Sequence, residues 1–98
     1  MADYIKTFAG YLEMERNASG NTIASYVRDV TQFSQYLMET EGLEPPQGDT
    51  EHIERYIIYM IGKGKSASSV ARSAASLKSY YGYLVNRGVV RRNPAKDA

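Results

Sequence analysis

The sequence of 98 residues contains no cysteine, no tryptophan and a single histidine, His52. Without cysteine the chain cannot form a disulfide bond or a thiolate metal site, and an intracellular protein is the simpler expectation. The histidine lies between Glu51 and Glu54 in the sequence, too few donors for a metal ion. We therefore predict neither a metal nor another cofactor, and we expect His52 at the surface.

Long apolar runs are also missing. No stretch approaches the roughly 18 apolar residues of a membrane span, and the N-terminus does not resemble a secretory signal. With 43% hydrophobic and 23% charged residues, the composition is that of an ordinary globular protein. We expect one domain, or a piece of a longer chain, in the cytoplasm and without a membrane partner.

The net charge of +1 hides a strong asymmetry along the chain. Residues 1–54 hold ten acidic and three basic side chains, a net charge of −7. Residues 55–98 hold nine basic side chains and one acidic side chain, a net charge of +8. This asymmetry indicates a polyanionic partner for the second half, provided that the basic side chains converge in space.

Apolar residues recur at intervals of three and four along the chain, which is the spacing of one helix face. The spacing predicts four helices near residues 3–15, 20–40, 50–62 and 66–86, and no sheet. Residues 56–61 have strand propensity on their own, but the spacing extended back to Ile53 favours a helix. The expected N-caps are Asp3, Ser19, Asp49 or Thr50, and Ser66.

Two proline-containing segments predict interruptions of this pattern. Residues 43–48, Leu-Glu-Pro-Pro-Gln-Gly, exclude a helix and are expected to form an exposed loop. Near the C-terminus, Asn93-Pro94 is expected to end the folded structure. The predicted organisation is therefore a domain over residues 1–93 and the start of a linker over residues 94–98.

The second and fourth predicted helices carry short hydrogen-bonding side chains opposite their apolar stripes. On the second helix these are Asn21, Ser25, Arg28, Gln32 and Gln35; on the fourth they are Ser69, Arg72, Ser73, Ser76 and Ser79, with Lys78 to one side. A helix face that meets only solvent usually carries Glu and Lys. The composition favours a contact surface, and a solvated face is the alternative.

No catalytic constellation is visible. Gly64-Lys65-Ser66 is similar to the end of a nucleotide-binding phosphate loop, but Tyr59 stands where that loop requires a glycine. The basic turn and the helix N-terminus after it can still hold a nucleic-acid phosphate. Nine tyrosines are present, and none has a neighbouring base that would activate it. We expect no catalytic residue in this chain.

The motifs together resemble a known family. Residues 21–33, Asn-Thr-Ile-Ala-Ser-Tyr-Val-Arg-Asp-Val-Thr-Gln-Phe, are similar to the Asn-Thr-hydrophobic-x-x-Tyr-x-Arg-Asp-hydrophobic-x-x-Phe signature of the N-terminal core-binding domain of tyrosine recombinases, the phage-integrase and Xer-type enzymes. Gly64-x-Ser66-x-x-Ser69-Val70-Ala71-Arg72 and Gly88-Val-Val-x-x-Asn93-Pro94-Ala95 resemble later parts of that domain. The resemblance extends over essentially the whole chain.

The resemblance implies an all-α, four-to-five-helix SAM-like bundle that forms half of a clamp around duplex DNA. Its second and fourth helices would face the major groove of a recombination half-site. The DNA-binding residues expected on this basis are Asn21, Thr22, Ser25, Arg28, Lys65, Ser66, Ser69, Arg72, Ser76 and Lys78. Lys65 suits a phosphate, and Arg72 is expected to read a guanine, with a phosphate contact as the alternative.

The resemblance also implies partners and a missing activity. The partners would be duplex DNA and other recombinase protomers on that DNA, while the isolated domain would be a monomer, nucleoid-associated in the cytoplasm. The family's catalytic domain would follow Pro94, so this fragment would bind DNA without cleaving it. The alternative is a helical protein–protein interaction module without DNA binding. DNA binding requires Arg28, Lys65, Arg72 and Lys78 on one surface.

Overall fold

The computed structural model describes residues 4–96, which form four α-helices, one short 3₁₀ helix and no strand. The α-helices are α1 (Tyr4–Met14), α2 (Gly20–Glu41), α3 (Thr50–Gly62) and α4 (Ala67–Asn86). The prediction of an all-α bundle is therefore confirmed, and residues 56–61 lie inside α3. The predicted N-cap Asp3 lies outside the described residues.

Capping side chains determine where three of the helices begin. The Oγ atoms of Ser19 and Ser66 accept hydrogen bonds from the backbone N–H groups of Thr22 and Ser69, each over 3.2 Å. The Asp49 carboxylate accepts from the Thr50 N–H at 2.7 Å, and His52 Nδ1 accepts from the Asp49 N–H at 2.9 Å. Three predicted caps are confirmed, and His52, half-buried, completes the cap of α3.

The core lies where α2 and α4 pack on each other and on α1, with α3 against α4. Phe33 of α2 is fully buried, and its ring meets the rings of Tyr56 and Tyr81 edge-on, with centroids 5.1 and 6.4 Å apart. Phe8 of α1 packs in the same way against Tyr80 of α4, at 5.2 Å. The two helices with polar outer faces are thus neighbours at the centre of the fold.

Residues 43–48 are not the exposed loop that the prolines predicted. Pro45–Gln47 form a 3₁₀ helix, and Pro45 is buried, with its carbonyl oxygen accepting from the Tyr81 hydroxyl at 2.6 Å. Proline is tolerated at the first position of a helix, because its missing N–H has no partner there. A Cβ atom on Gly48 would lie 2.7 Å from the same hydroxyl oxygen, so this position has room only for glycine.

The folded unit extends beyond the predicted boundary at residue 93. Asn93 Nδ2 donates to the backbone carbonyl of Lys78 at 2.8 Å, and Thr50 Oγ1 donates to the carbonyl of Pro94 at 2.9 Å. Pro94 and Ala95 are buried. These two residues belong to the domain and not to a linker, because the chain after α4 turns back against α3 and α4.

The predicted outer face of α4 needs correction. Ser73 and Ser76, expected on the outside of α4, are 4% and 0% exposed. Their small side chains let α2 lie close to α4, so the buried face of α4 is wider than its apolar stripe. On α3, the buried stripe contains Met60, while Ile61 is 60% exposed.

Two buried tyrosines predict a loss of stability at alkaline pH. Burial, with smaller effects of Asp29, Tyr59 and Tyr36, raises the pKa of Tyr56 from 10.0 to about 12, and burial raises the pKa of Tyr81 as well. Because the folded state favours the neutral phenols, their contribution is complete below pH 10 and is lost as the pH rises toward 12. The urea midpoint, followed by circular dichroism, should be constant from about pH 7 to 9.5 and fall steeply above it.

The matched variant is Tyr81→Phe, which has no ionisable group at this position. Its midpoint should be lower at neutral pH, because the hydrogen bond to Pro45 is lost, but should fall less above pH 10 than that of the unmodified chain. An unchanged midpoint of the unmodified chain up to about pH 11.5 would contradict the interpretation.

Candidate nucleic-acid interface

The polar faces of α2 and α4 form one surface, along which the two helices run in opposite directions. Thr22, near the start of α2, lies beside Lys78 in the second half of α4. Asp29 of α2 contacts Arg72 of α4, and Gln32, further along α2, lies beside Lys65, just before α4 begins. Two clefts open on this surface, one on each side of the Asp29–Arg72 contact.

The first cleft, the α2–α4 groove, has a volume of about 220 Å³. It brings together four of the predicted site residues from three parts of the chain: Arg28, Lys65, Ser69 and Arg72. Lys65 is placed by the turn after α3, in which Gly64 has a φ of +83° and the Lys65 N–H donates to the Met60 carbonyl. The groove therefore gathers three cations around the N-terminus of α4.

The second cleft, the Thr22 cleft, contains two further predicted residues, Thr22 and Lys78. Arg16 and Ser79 line it as well, and Arg16 was not among the predicted site residues. Arg16 lies in the break between α1 and α2, where the helical spacing of apolar residues does not indicate which way a side chain faces. Only the fold brings Arg16 beside α4. Lys78 thus lies in a different cleft from Arg28, Lys65 and Arg72, which line the α2–α4 groove.

The remaining predicted residues lie on this surface in different settings. Ser66 caps α4, and its Oγ donates to the Ser69 Oγ at 3.0 Å. Ser19 and Thr22 repeat this arrangement at the start of α2. Asn21 is exposed and Ser25 is half-buried on the face of α2 that carries Arg28, outside both clefts.

Ser76 does not face outward as expected. Its side chain is fully buried, and its Oγ donates to Asp29 Oδ2 at 2.8 Å. Because no part of Ser76 reaches the surface, Ser76 is not available to contact DNA, contrary to the prediction. Its role is to hold the carboxylate of its neighbour on α2.

Asp29 is the important residue that the sequence analysis did not assign. Its side chain is 1% exposed, and its two carboxylate oxygens accept from Arg72 Nε at 3.0 Å and Arg72 Nη2 at 3.1 Å. The signal for it was its position four residues before Phe33, on the inward side of α2, where a charge requires a partner. Hydrogen bonding to Asp29, followed by its negative charge, raises the pKa of Arg72 above its ordinary value.

A third cleft, the tyrosine cleft, adjoins the groove and was not predicted. Three tyrosines from α2 and α3, Tyr36, Tyr56 and Tyr59, form its wall, with ring centroids of the neighbours 4.9–6.2 Å apart. The ammonium group of Lys63 lies 5.5 Å above the ring of Tyr59. Lys63 therefore lies near the end of the α2–α4 surface that carries Lys65.

The comparison with protein families fits this geometry. The family described as the phage integrase N-terminal SAM-like domain matches residues 5–88, from α1 to the end of α4. The chain belongs to this family. The residues that line the α2–α4 groove and the Thr22 cleft all fall within the matched part of this SAM-like domain. The match confirms the resemblance to tyrosine recombinases.

Curated relatives of this SAM-like domain are tyrosine recombinases. XerD of Listeria monocytogenes is 38% identical over 95 residues, which cover 96% of this chain and 32% of the relative. XerD of Chlorobaculum tepidum is 34% identical over 93 residues, covering 95% and 30%. XerC of Pelobacter propionicus is 35% identical over 98 residues, covering 98% and 32%. The chain spans about a third of the length of these relatives. No solved structure matches it.

The described part of the SAM-like domain lacks the features of a metal site and of a membrane span. Residues 4–96 contain no group of three or more His, Cys, Asp or Glu side chains that could hold a metal ion. Among the same residues, no helix has the length and apolar character needed to cross a membrane.

Proposed function

We propose that this SAM-like domain binds duplex DNA as the N-terminal part of a site-specific tyrosine recombinase. The observation that carries the proposal is the α2–α4 groove, where Arg28, Lys65 and Arg72 converge beside the N-terminus of a helix. Cations together with free helix N–H groups are the donors that bind phosphates. The relatives, which are tyrosine recombinases, support the same function.

The residues of the surface have different proposed roles. The flexible ammonium group of Lys65 suits a phosphate oxygen, and the N-terminus of α4 beside it contributes its positive dipole. Arg28, exposed on α2, would contact a neighbouring phosphate of the DNA. Thr22 and Lys78 would extend the contact along the DNA through the Thr22 cleft. We propose that α2 and α4 together face the major groove.

The intact protein would have further functions that this chain does not carry alone. We propose that a catalytic domain cuts and rejoins DNA through a tyrosyl–DNA intermediate, while this domain completes a clamp on the other side of the duplex. Its partners would be a recombination half-site and other protomers bound to the same DNA. Such a protein would act on DNA in the cytoplasm.

The proposal predicts DNA binding that depends strongly on salt. Fluorescence anisotropy with a labelled duplex of about 30 base pairs should give micromolar or weaker affinity at low salt, in the range of non-specific binding. Affinity should fall steeply as salt rises, because each neutralised phosphate releases counterions. Lys65→Ala should weaken binding about equally for all sequences and reduce the salt slope by about one phosphate contact.

The matched control is Arg91→Ala, which removes one positive charge from an exposed residue beyond the C-terminal end of α4. It should leave the salt slope close to that of the unmodified chain. Absence of binding at about 50 mM salt, or binding that does not change with salt, would contradict the proposal.

One observation favours the alternative of a protein–protein module. Ile58 and Ile61, three residues apart on α3, are 68% and 60% exposed, and exposed apolar side chains are typical of protein contacts. If the titration shows no DNA binding, α3 is the surface on which association should be sought. If DNA binds, the same face is available to another protomer on that DNA.

A further inference from the structure

We infer that Asp29 is a positioning residue that holds the guanidinium group of Arg72 for bidentate recognition of a guanine in duplex DNA. The inference rests on the proposed DNA-binding function and adds to it the residue that confers sequence preference. The buried carboxylate of Asp29 has no role in the proposed phosphate contacts.

The contact between the two side chains leaves one edge of the guanidinium group available. A guanidinium group has five N–H donors, and Asp29 accepts one from Nε and one from Nη2. Of the remaining donors, one N–H of Nη1 and the second N–H of Nη2 lie together on the end of the guanidinium group, an edge that Asp29 does not contact. The Arg72 side chain is 43% exposed. A pair of donors on Nη1 and Nη2 matches the O6 and N7 acceptors of guanine.

The orientation of the carboxylate is itself fixed. Ser76 Oγ lies 2.8 Å from Asp29 Oδ2, and Asp29 is 1% exposed, so water does not compete for its oxygens. Arg72 and Ser76 are one turn apart on α4, and both contact the same carboxylate of α2. The direction of the Arg72 side chain is therefore set by the packing of the two helices.

The charge of the pair separates Arg72 from the other cations of the groove. The carboxylate offsets the charge of Arg72, so the pair attracts phosphates less than a free cation does and contributes little to counterion release. Among residues 4–96, Arg28 and Lys65 form no ion pair. Arg28 and Lys65 therefore supply affinity, whereas Arg72 supplies preference for a base.

The test is selection from a duplex library with about 20 random base pairs, bound to the full chain and sequenced. The unmodified chain should enrich a guanine at one or more positions. Two variants should lose the preference for that guanine. Arg72→Lys keeps the positive charge but lacks the paired N–H donors of the guanidinium group, and Asp29→Asn removes the negative charge that holds this group. On the selected duplex, each should lose about 5- to 150-fold in affinity, the effect of one bidentate contact, and less on scrambled DNA. Lys65→Ala is the matched control and should keep the guanine while binding more weakly.

Circular dichroism melting shows first that each variant is folded. If Asp29→Asn does not fold, Ser76→Ala replaces it, because it releases one carboxylate oxygen without changing the charge, and should lower the preference at least about twofold. A folded Asp29 variant, or Ser76→Ala in its place, with an unchanged guanine preference would overturn the inference. So would an unmodified chain that binds duplex DNA without any preference, although the proposed function would then stand. A chain that binds no duplex at all contradicts the proposed function itself.

Discussion

Replacing Phe33 by alanine should lower the free energy of unfolding by about 3–5 kcal/mol, the usual cost of removing a buried aromatic ring. Phe33 is fully buried at the centre of α2, and its ring contacts Tyr56 of α3 and Tyr81 of α4. The substitution therefore leaves a cavity where three helices meet. Urea unfolding followed by circular dichroism at about pH 7 measures the loss.

The matched control for Phe33→Ala is Ile58→Ala, because Ile58 is 68% exposed on α3. Truncation of an exposed side chain usually changes stability by less than about 0.5 kcal/mol. A loss of under about 1 kcal/mol for Phe33→Ala would show that its site can collapse and that the core is organised around other residues.

The double charge reversal Arg28→Glu with Lys65→Glu should lower affinity for duplex DNA on the order of 100-fold at about 100 mM salt. The two substitutions remove two of the cations that line the α2–α4 groove and place two negative charges against the phosphates. Because both side chains are exposed, the melting temperature should change little. Anisotropy titrations with a labelled duplex measure the change.

Arg91→Glu with Arg92→Glu is the matched control, because it changes the net charge by the same amount at exposed positions. These residues follow the C-terminal end of α4, and Lys65 lies before its N-terminus. The chain after α4 turns back to Lys78, whose carbonyl accepts from Asn93. Lys78 follows Lys65 by 13 residues, about 20 Å along a helix, so the control charges lie far from the groove. Equal losses in the two double variants would show that net charge, and not the groove, governs binding.

The helices were predictable because their signals are local. Ser19, Asp49 and Ser66 each place a side-chain acceptor just before an apolar repeat, and all three cap helices in the structure. The exposed cations were predictable for the same reason, since a helix face follows directly from spacing. Arg28 and Lys65 lie on the predicted surface.

The buried polar cluster was not predictable from spacing. Periodicity placed Ser76 outside because a serine is polar, but the width of the face that α4 buries depends on how closely α2 packs. In the sequence, Asp29 is only one residue of a motif. Its partner Arg72 lies 43 positions later, and only the fold shows their contact. The predictions for the segments around Pro45 and Pro94 failed for a similar reason. The burial of Pro45 and of Pro94 depends on Tyr81 and Thr50, which are distant in sequence.

The contact between Asp29 and Arg72 has a consequence for the entropy of binding. A free arginine side chain carries about 2 kcal/mol of rotamer entropy, which is lost when the side chain is ordered against a ligand. In this domain, the two hydrogen bonds to Asp29 restrict Arg72 before any DNA arrives. That ordering cost is met during folding, so the proposed contact of the guanidinium group with a base edge would require little further loss of freedom.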